Sequence, residues 1–253
     1  MSLHQLKSLS RDELADFFAE NLSHLNEDEA LAVLDNPYIT PKNCQAIAQN
    51  QRLSAYYSMR VKLVAHRQTP QAYATKLIHY LYWPDLVRLS VEVTVAATVR
   101  RAIDTVLLTR VGKLALGERI SAARRCSAAL IKVLLFDRDP RVFASLLINP
   151  RVREDDVLVL AISPEATADQ LTMLAADRKW GLRYMIRKAL VLNAITPRAV
   201  AASQLRYLSR RDLVSIHENP STSTYLRRCI ERLGPSPGPS RHPLPQAGEE
   251  TVE

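Results

Sequence analysis

The chain has 253 residues, an apolar fraction of 47% and a net charge of +8, which allows one large or two small domains with a continuous core. Glycine is scarce before residue 234 while Leu, Ala and Arg are abundant, which favours helices over tight β-turns. The charge is unevenly placed: residues 1–35 carry two basic and eight acidic side chains, residues 36–233 carry 31 basic and 15 acidic ones, and residues 234–253 are net −2.

Residues 1–35 predict acidic capping helices. Ser10 followed by Glu13 has the capping-box spacing, and residues 10–34 read as an amphipathic helix pair. Arg11, Asp12, Glu13, Asp16 and Glu20 rule out a signal-peptide pattern here. No uncharged apolar run approaches the ~18 residues of a membrane span.

Residues 36–233 predict a helical-repeat domain. Eight prolines follow a polar residue: Asn36-Pro37, Thr40-Pro41, Thr69-Pro70, Asp139-Pro140, Asn149-Pro150, Ser163-Pro164, Thr196-Pro197 and Asn219-Pro220. A side-chain oxygen caps free amides and proline fits the first helical position, so each pair predicts a helix start. In 70–82 the spacing places Tyr73, Leu77, Tyr80 and Leu81 on one face, and in 198–208 it does the same for Val200, Leu205 and Leu208. Residues 120–136 predict one apolar, central helix. Gly112-Lys113 has neither the order nor the spacing of a phosphate loop and predicts a turn between helices. Asp155-Asp156 predict a helix first turn, where the dipole favours acids. Residues 234–253 hold five of the fourteen prolines and predict a disordered Pro/Gly-rich tail.

The sequence also repeats itself. Residues 40–103 align without a gap on 167–230, an offset of 127, with 18 identities in 64 pairs. Thr69-Pro70 falls on Thr196-Pro197, Tyr57 on Tyr184, Arg60 on Arg187, Asp85-Leu86-Val87 on Asp212-Leu213-Val214, and Arg100-Arg101 on Arg227-Arg228. Fixed-period self-similarity marks a repeat architecture. The prediction is an all-α fold of about ten to thirteen helices in one continuous domain.

Within that domain, Ala48 … Arg60-Val61-Lys62-Leu63-Val64-Ala65-His66 … Thr69-Pro70 resembles the leucine-rich-repeat variant pattern, as does Ala175 … Ile186-Arg187-Lys188-Ala189-Leu190 … Thr196-Pro197. Asp139-Pro140-Arg141-Val142 … Leu146-Leu147 … Asn149-Pro150 is similar to a HEAT-type repeat. The resemblance covers about 36–233 and implies a right-handed α-solenoid of the HEAT/armadillo superhelical type. Some members of the variant family carry an N-terminal cysteine cluster for an iron–sulfur centre. The first cysteine here is Cys44, so no cofactor is carried over.

No catalytic constellation and no metal-ligand spacing stands out, and the six histidines are isolated. The candidate interaction residues are arginines: Arg100, Arg101, Arg124, Arg125, Arg206, Arg210, Arg211, Arg227 and Arg228. Adjacent helical residues point about 100° apart, so one of a pair packs while its neighbour meets solvent. A basic stripe fits an acidic protein surface or the chain's own helices 1–35, and it also fits nucleic-acid phosphates. Helical-repeat proteins similar to the HEAT-like alkylpurine DNA glycosylases hold duplex DNA. Single-strand stacking would rely on Tyr56, Tyr82, Trp83 and Trp180. Arg60 and Arg187, set in apolar runs, predict structural contacts to carbonyls or carboxylates, with Asp85 and Asp212 as partners. Tyr57 and Tyr184 predict core rings whose hydroxyls reach an edge. The expectation is a non-enzymatic cytoplasmic scaffold for a macromolecular partner, a protein first and nucleic acid second.

Overall fold

The computed structural model describes residues 2–233; the tail expected to be disordered lies outside them. Among the described residues the fold is all-helical, with no strand. Eighteen α-helices follow one another: α1 Leu3–Ser8, α2 Arg11–Asn21, α3 Glu27–Leu34, α4 Pro41–Gln49, α5 Gln51–Ala55, α6 Tyr57–Ala65, α7 Gln71–Leu77, α8 Trp83–Val91, α9 Ala97–Arg110, α10 Leu116–Ala123, α11 Ala128–Leu134, α12 Pro140–Leu147, α13 Glu154–Ile162, α14 Ala168–Ala176, α15 Tyr184–Leu192, α16 Arg198–Leu205, α17 Arg210–Glu218 and α18 Thr224–Leu233.

The count exceeds the expected ten to thirteen because capping residues interrupt the apolar runs. Asn50 ends α4 and caps α5, accepting from Arg52 N at 3.1 Å and Leu53 N at 3.2 Å. The single helix expected over 120–136 breaks at Arg124–Ser127, where Ser127 caps α11. The Ser10–Glu13 box is present, Ser10 N donating to Glu13 Oε2 at 2.8 Å. Asp155 and Asp156 lie in the first turn of α13, and Gly112-Lys113 sits in a 3₁₀ turn between α9 and α10.

The chain divides into two compact units, Met1–Leu160 and Ala161–Glu253. Within each unit, the most closely packed helices are near neighbours in sequence: α8 with α9, α10 with α12, α1 with α3, α3 with α6 and α7 with α9 in the first, and α15 with α16 and α16 with α18 in the second. Helices this short are marginal alone and are held by the face they bury. In the first unit the buried side chains include Leu6, Ile47, Met59, Leu63, Leu86, Ile103, Phe143 and Leu146. In the second, Val191, Ala201, Leu205, Leu208, Leu213, Ile216 and Leu226 form one cluster, with Cys229 and Ile230 packed against it.

Proline marks three kinds of place, which corrects the uniform helix-start reading. Thr40-Pro41 and Asp139-Pro140 do open helices, with the Thr40 and Asp139 side chains as caps. At Thr69-Pro70 and Thr196-Pro197 the proline itself is the N-cap, and no side chain caps the helix. Asn36-Pro37, Asn149-Pro150, Ser163-Pro164 and Asn219-Pro220 lie in turns that follow α3, α12, α13 and α17.

In these turns the asparagines have another task. Asn36 Nδ2 donates to the Leu6 and Leu9 carbonyls, each at 3.0 Å, while its Oδ1 accepts from Tyr38 N at 2.8 Å. Asn149 Nδ2 reaches the Ala123 and Cys126 carbonyls at 2.9 and 3.3 Å, and its Oδ1 accepts from Arg151 N at 2.9 Å. Asn193 repeats this with the Ala161 and Ser163 carbonyls and Ile195 N. Each asparagine is a rung joining the end of one helix to a turn formed 23 to 32 residues earlier.

Asn149 is fully buried. Asn149→Ala leaves two carbonyls and one amide without a side-chain partner, and a buried orphan costs about 1–3 kcal/mol. Urea unfolding should show a loss of at least that size; an unchanged midpoint would mean the rung contributes nothing.

Candidate interaction surface

The two copies of the internal repeat build the same side-chain network, each within its own unit. In the first, the Tyr57 hydroxyl donates to Asp85 Oδ2 at 2.5 Å and accepts from Tyr82 N at 3.1 Å. In the second, the Tyr184 hydroxyl donates to Asp212 and accepts from Ser209 N at 3.0 Å. Arg60 Nε donates to the Ser54 carbonyl at 2.6 Å, and Arg187 Nε to the Gly181 carbonyl at 2.9 Å. The Arg60 guanidinium lies 5.3 Å from the centre of the Tyr80 ring, and that of Arg187 lies 3.8 Å from Tyr207, within cation–π range. Every pair is related by the 127-residue offset.

The network corrects the expected pairing. Asp85 and Asp212 serve the tyrosine hydroxyls, while Arg60 and Arg187 bind main-chain carbonyls and cover aromatic rings. Tyr184 is 41% exposed and Tyr57 half-buried, so neither is a core ring. Tyr80, expected on the buried face of its helix, is 63% exposed; Leu77 and Leu81 take that face. Gly181 is required where it stands: a Cβ there would lie 2.4 Å from the Ala175 carbonyl oxygen.

The cations beside the two carboxylates differ. Asp85 pairs with Arg88 at 3.1 Å on its own helix. Asp212 pairs with Lys188 at 2.8 Å and also accepts from Ser209 Oγ at 3.0 Å. The Lys188 bond, then that of Tyr184, lowers the Asp212 pKa to about 2. Burial, then the bond to Asp85, raises that of Tyr57.

The predicted arginines fall into two groups. Arg227 is structural: its Nη2 donates to the Asn219 carbonyl at 2.8 Å and the Pro220 carbonyl at 3.3 Å. Arg100 is half-buried and its charge lowers the pKa of Asp104, which burial raises more strongly. Arg101 is exposed and bonds the Ala97 carbonyl at 3.4 Å. Arg124 and Arg125 are exposed just beyond α10. Arg206, Arg210 and Arg211 are exposed along the turn joining α16 to α17, and Arg206 lies 5.3 Å from the centre of the Tyr207 ring. Arg210 and Arg211 stand in the first turn of α17, where the helix dipole disfavours cations. Arg228 is exposed on α18. Exposure thus leaves Arg206, Arg210 and Arg211 together within six residues of sequence and sets Arg227 apart.

Among the described residues, no acid of 1–35 forms an ion pair with Arg100, Arg101, Arg124 or Arg125. Asp35 pairs with Lys7 at 3.0 Å and with Lys62; burial pushes its pKa up, but these two cations outweigh it and hold the carboxyl below its usual value. Glu27 accepts from Ser58, and Glu13 and Glu29 close capping boxes. Of the aromatics expected for stacking, Tyr82 is 68% exposed, Trp83 donates to Glu118 Oε1 at 2.7 Å, and Trp180 is buried. Burial raises the Cys44 pKa to about 11, so Cys44 remains a thiol at neutral pH despite His66 Nδ1 at 3.6 Å and does not form a nucleophile pair.

No protein-family model, curated protein or solved structure matches this chain.

The low Asp212 pKa has a pH consequence. Its folded value lies below the ordinary aspartate value of 3.8, so its stabilisation is present above about pH 4 and lost as pH falls toward about 2. Asp212→Asn should flatten that part of the stability–pH curve. An identical curve for the variant would contradict the assigned pairing.

Proposed function

We propose that this chain is a non-enzymatic, cytoplasmic helical-repeat scaffold that binds the acidic surface of a protein partner. In this reading its helices form a right-handed α-solenoid of the HEAT/armadillo type, with residues 1–35 as the capping end, and the partner lies along a basic face. Supporting the architecture are the duplicated network, the recurring asparagine rungs and the near-neighbour packing expected of stacked repeats. The observation that carries the binding reading is the exposed group Arg206, Arg210 and Arg211, which has no ion pair among the described residues. Arg210 and Arg211 oppose their own helix dipole, an arrangement that an acidic ligand would relieve.

Nucleic acid is the second reading, favoured by one feature: the Tyr207 ring has Arg187 on it and Arg206 beside it, a cationic and aromatic surface able to meet phosphates and bases. The test is capture of partners from native lysate by the full chain, with and without nuclease, alongside Arg206→Glu/Arg210→Glu/Arg211→Glu. The protein reading expects nuclease-resistant capture that falls at least tenfold in the charge-reversed variant. Loss of every partner on nuclease treatment, together with duplex binding that weakens steeply with salt, would replace it with the nucleic-acid reading. Capture unchanged by charge reversal would remove the arginine surface from either.

A further inference from the structure

The asparagine rungs fail at one place. Asn219 aligns with neither Asn36 nor Asn149 but occupies the same kind of turn, and its Oδ1 accepts from Ser221 N at 2.9 Å as the other rungs do. Its side-chain amide, however, donates to nothing among the described residues. Beside it, within the second unit, lies a cavity of about 220 Å³. Its polar wall includes Asn193, Thr196, Arg198, Asn219, Thr222 and Ser223, with Val191 and Leu226 on the apolar side, and no acidic residue lines it.

The polar wall is rich in unused donors. Arg198 forms no hydrogen bond or ion pair among the described residues and opens α16, whose N-terminus has no side-chain cap. The first amides of such a helix lack intrahelical partners and favour an anion. Thr196 is 6% exposed, lines the same cavity, and its Oγ1 has no hydrogen-bond partner. Thr222 is already engaged, its hydroxyl donating to the Ile216 carbonyl at 2.6 Å.

The first copy of the repeat supplies an internal control. At the 127-residue offset, Arg198 replaces Gln71, Asn219 replaces Glu92, and Ser221-Thr222-Ser223 replace Thr94-Val95-Ala96. One base is gained, one acid is lost, and two apolar side chains become hydroxyls. Thr69, the counterpart of Thr196, is also buried with its Oγ1 unpartnered, so the threonine is common to both copies and the difference lies in the residues around it. Three of these changes, all but that at Thr222, favour a negatively charged oxygen ligand, and the Tyr–Asp bond and the arginine on a carbonyl recur in both copies.

We infer that the second unit binds an oxyanion, a phosphoryl or carboxylate group carried on a small organic moiety, in the cavity between the Thr196–Arg198 turn and the Asn219–Ser223 turn. Arg198 supplies the charge, Asn219 and Thr196 the fixed hydrogen bonds, and Val191 and Leu226 the apolar side that the organic part covers. This site is separate from the Arg206–Arg211 surface and does not depend on the scaffold reading.

The full chain is titrated with inorganic phosphate and, separately, with acetate, each against sodium chloride at matched ionic strength, by calorimetry and thermal unfolding. The expected result is saturable binding of at least one of the two with a rise in Tm; which one binds identifies the head group. Arg198→Gln and Asn219→Glu, which restore the residues of the first copy, should each weaken it at least tenfold. Arg198 is exposed, so Arg198→Gln remains informative if Asn219→Glu does not fold. No saturable response to either anion, or a response that Arg198→Gln leaves unchanged, overturns the assignment.

Discussion

The buried asparagine side chain is the interaction on which this fold depends. A turn between short helices leaves carbonyls at the end of one helix without partners. In a stack of such turns those carbonyls face the next turn rather than water. Asn36, Asn149 and Asn193 solve the problem with one side chain each: two donors reach back to an earlier turn, and the acceptor organises the asparagine's own turn. Alanine removes all three bonds, and aspartate sets a charge against carbonyl oxygens. His66, the counterpart of Asn193, performs part of the task, its Nδ1 accepting from Gln68 N at 3.2 Å.

Duplication then separates what the architecture requires from what each copy is free to change. The Tyr–Asp hydrogen bond, the arginine on a carbonyl and the arginine over a tyrosine ring recur in both copies. The cation beside the carboxylate does not recur: Arg88 serves Asp85 and Lys188 serves Asp212. Outside the shared network, the second copy gains Arg198, Arg206, Arg210 and Arg211 where the first has Gln71, His79, Trp83 and Pro84. Both copies carry a net charge of +7, so the second differs in where its positive charge stands rather than in how much it has.

Much of the frame was legible in the sequence. Helical content, the capping box at Ser10 and the equivalence of Tyr57/Tyr184, Arg60/Arg187 and Asp85/Asp212 follow from local pattern and from the offset. Which of these residues touch did not follow, because pairing depends on where a turn aims a side chain. The offset ties Asp85 to Asp212, and it is silent on whether each meets an arginine or a tyrosine. Proline was overread for a related reason. Asn-Pro occurs here after a helix, where asparagine reaches backward in space, and the dipeptide alone resembles a forward cap. Helix number was underestimated because Asn50 and Ser127 both break an apolar run without glycine or proline. Among the arginines, adjacency flagged Arg227 and Arg228 equally, and only burial distinguishes the carbonyl-bound Arg227 from its exposed neighbour.

The most direct test of the rung account is amide hydrogen exchange on the full chain and on Asn149→Ala. Arg151 N donates to the Asn149 side chain, and the carbonyls of Ala123 and Cys126 accept from it. The account predicts that the variant loses protection at Arg151 and in α10 and α12, while α1 and α3, held by Asn36, retain theirs. Unchanged protection at Arg151 and across α10 and α12 would show that the rung does not hold these turns together.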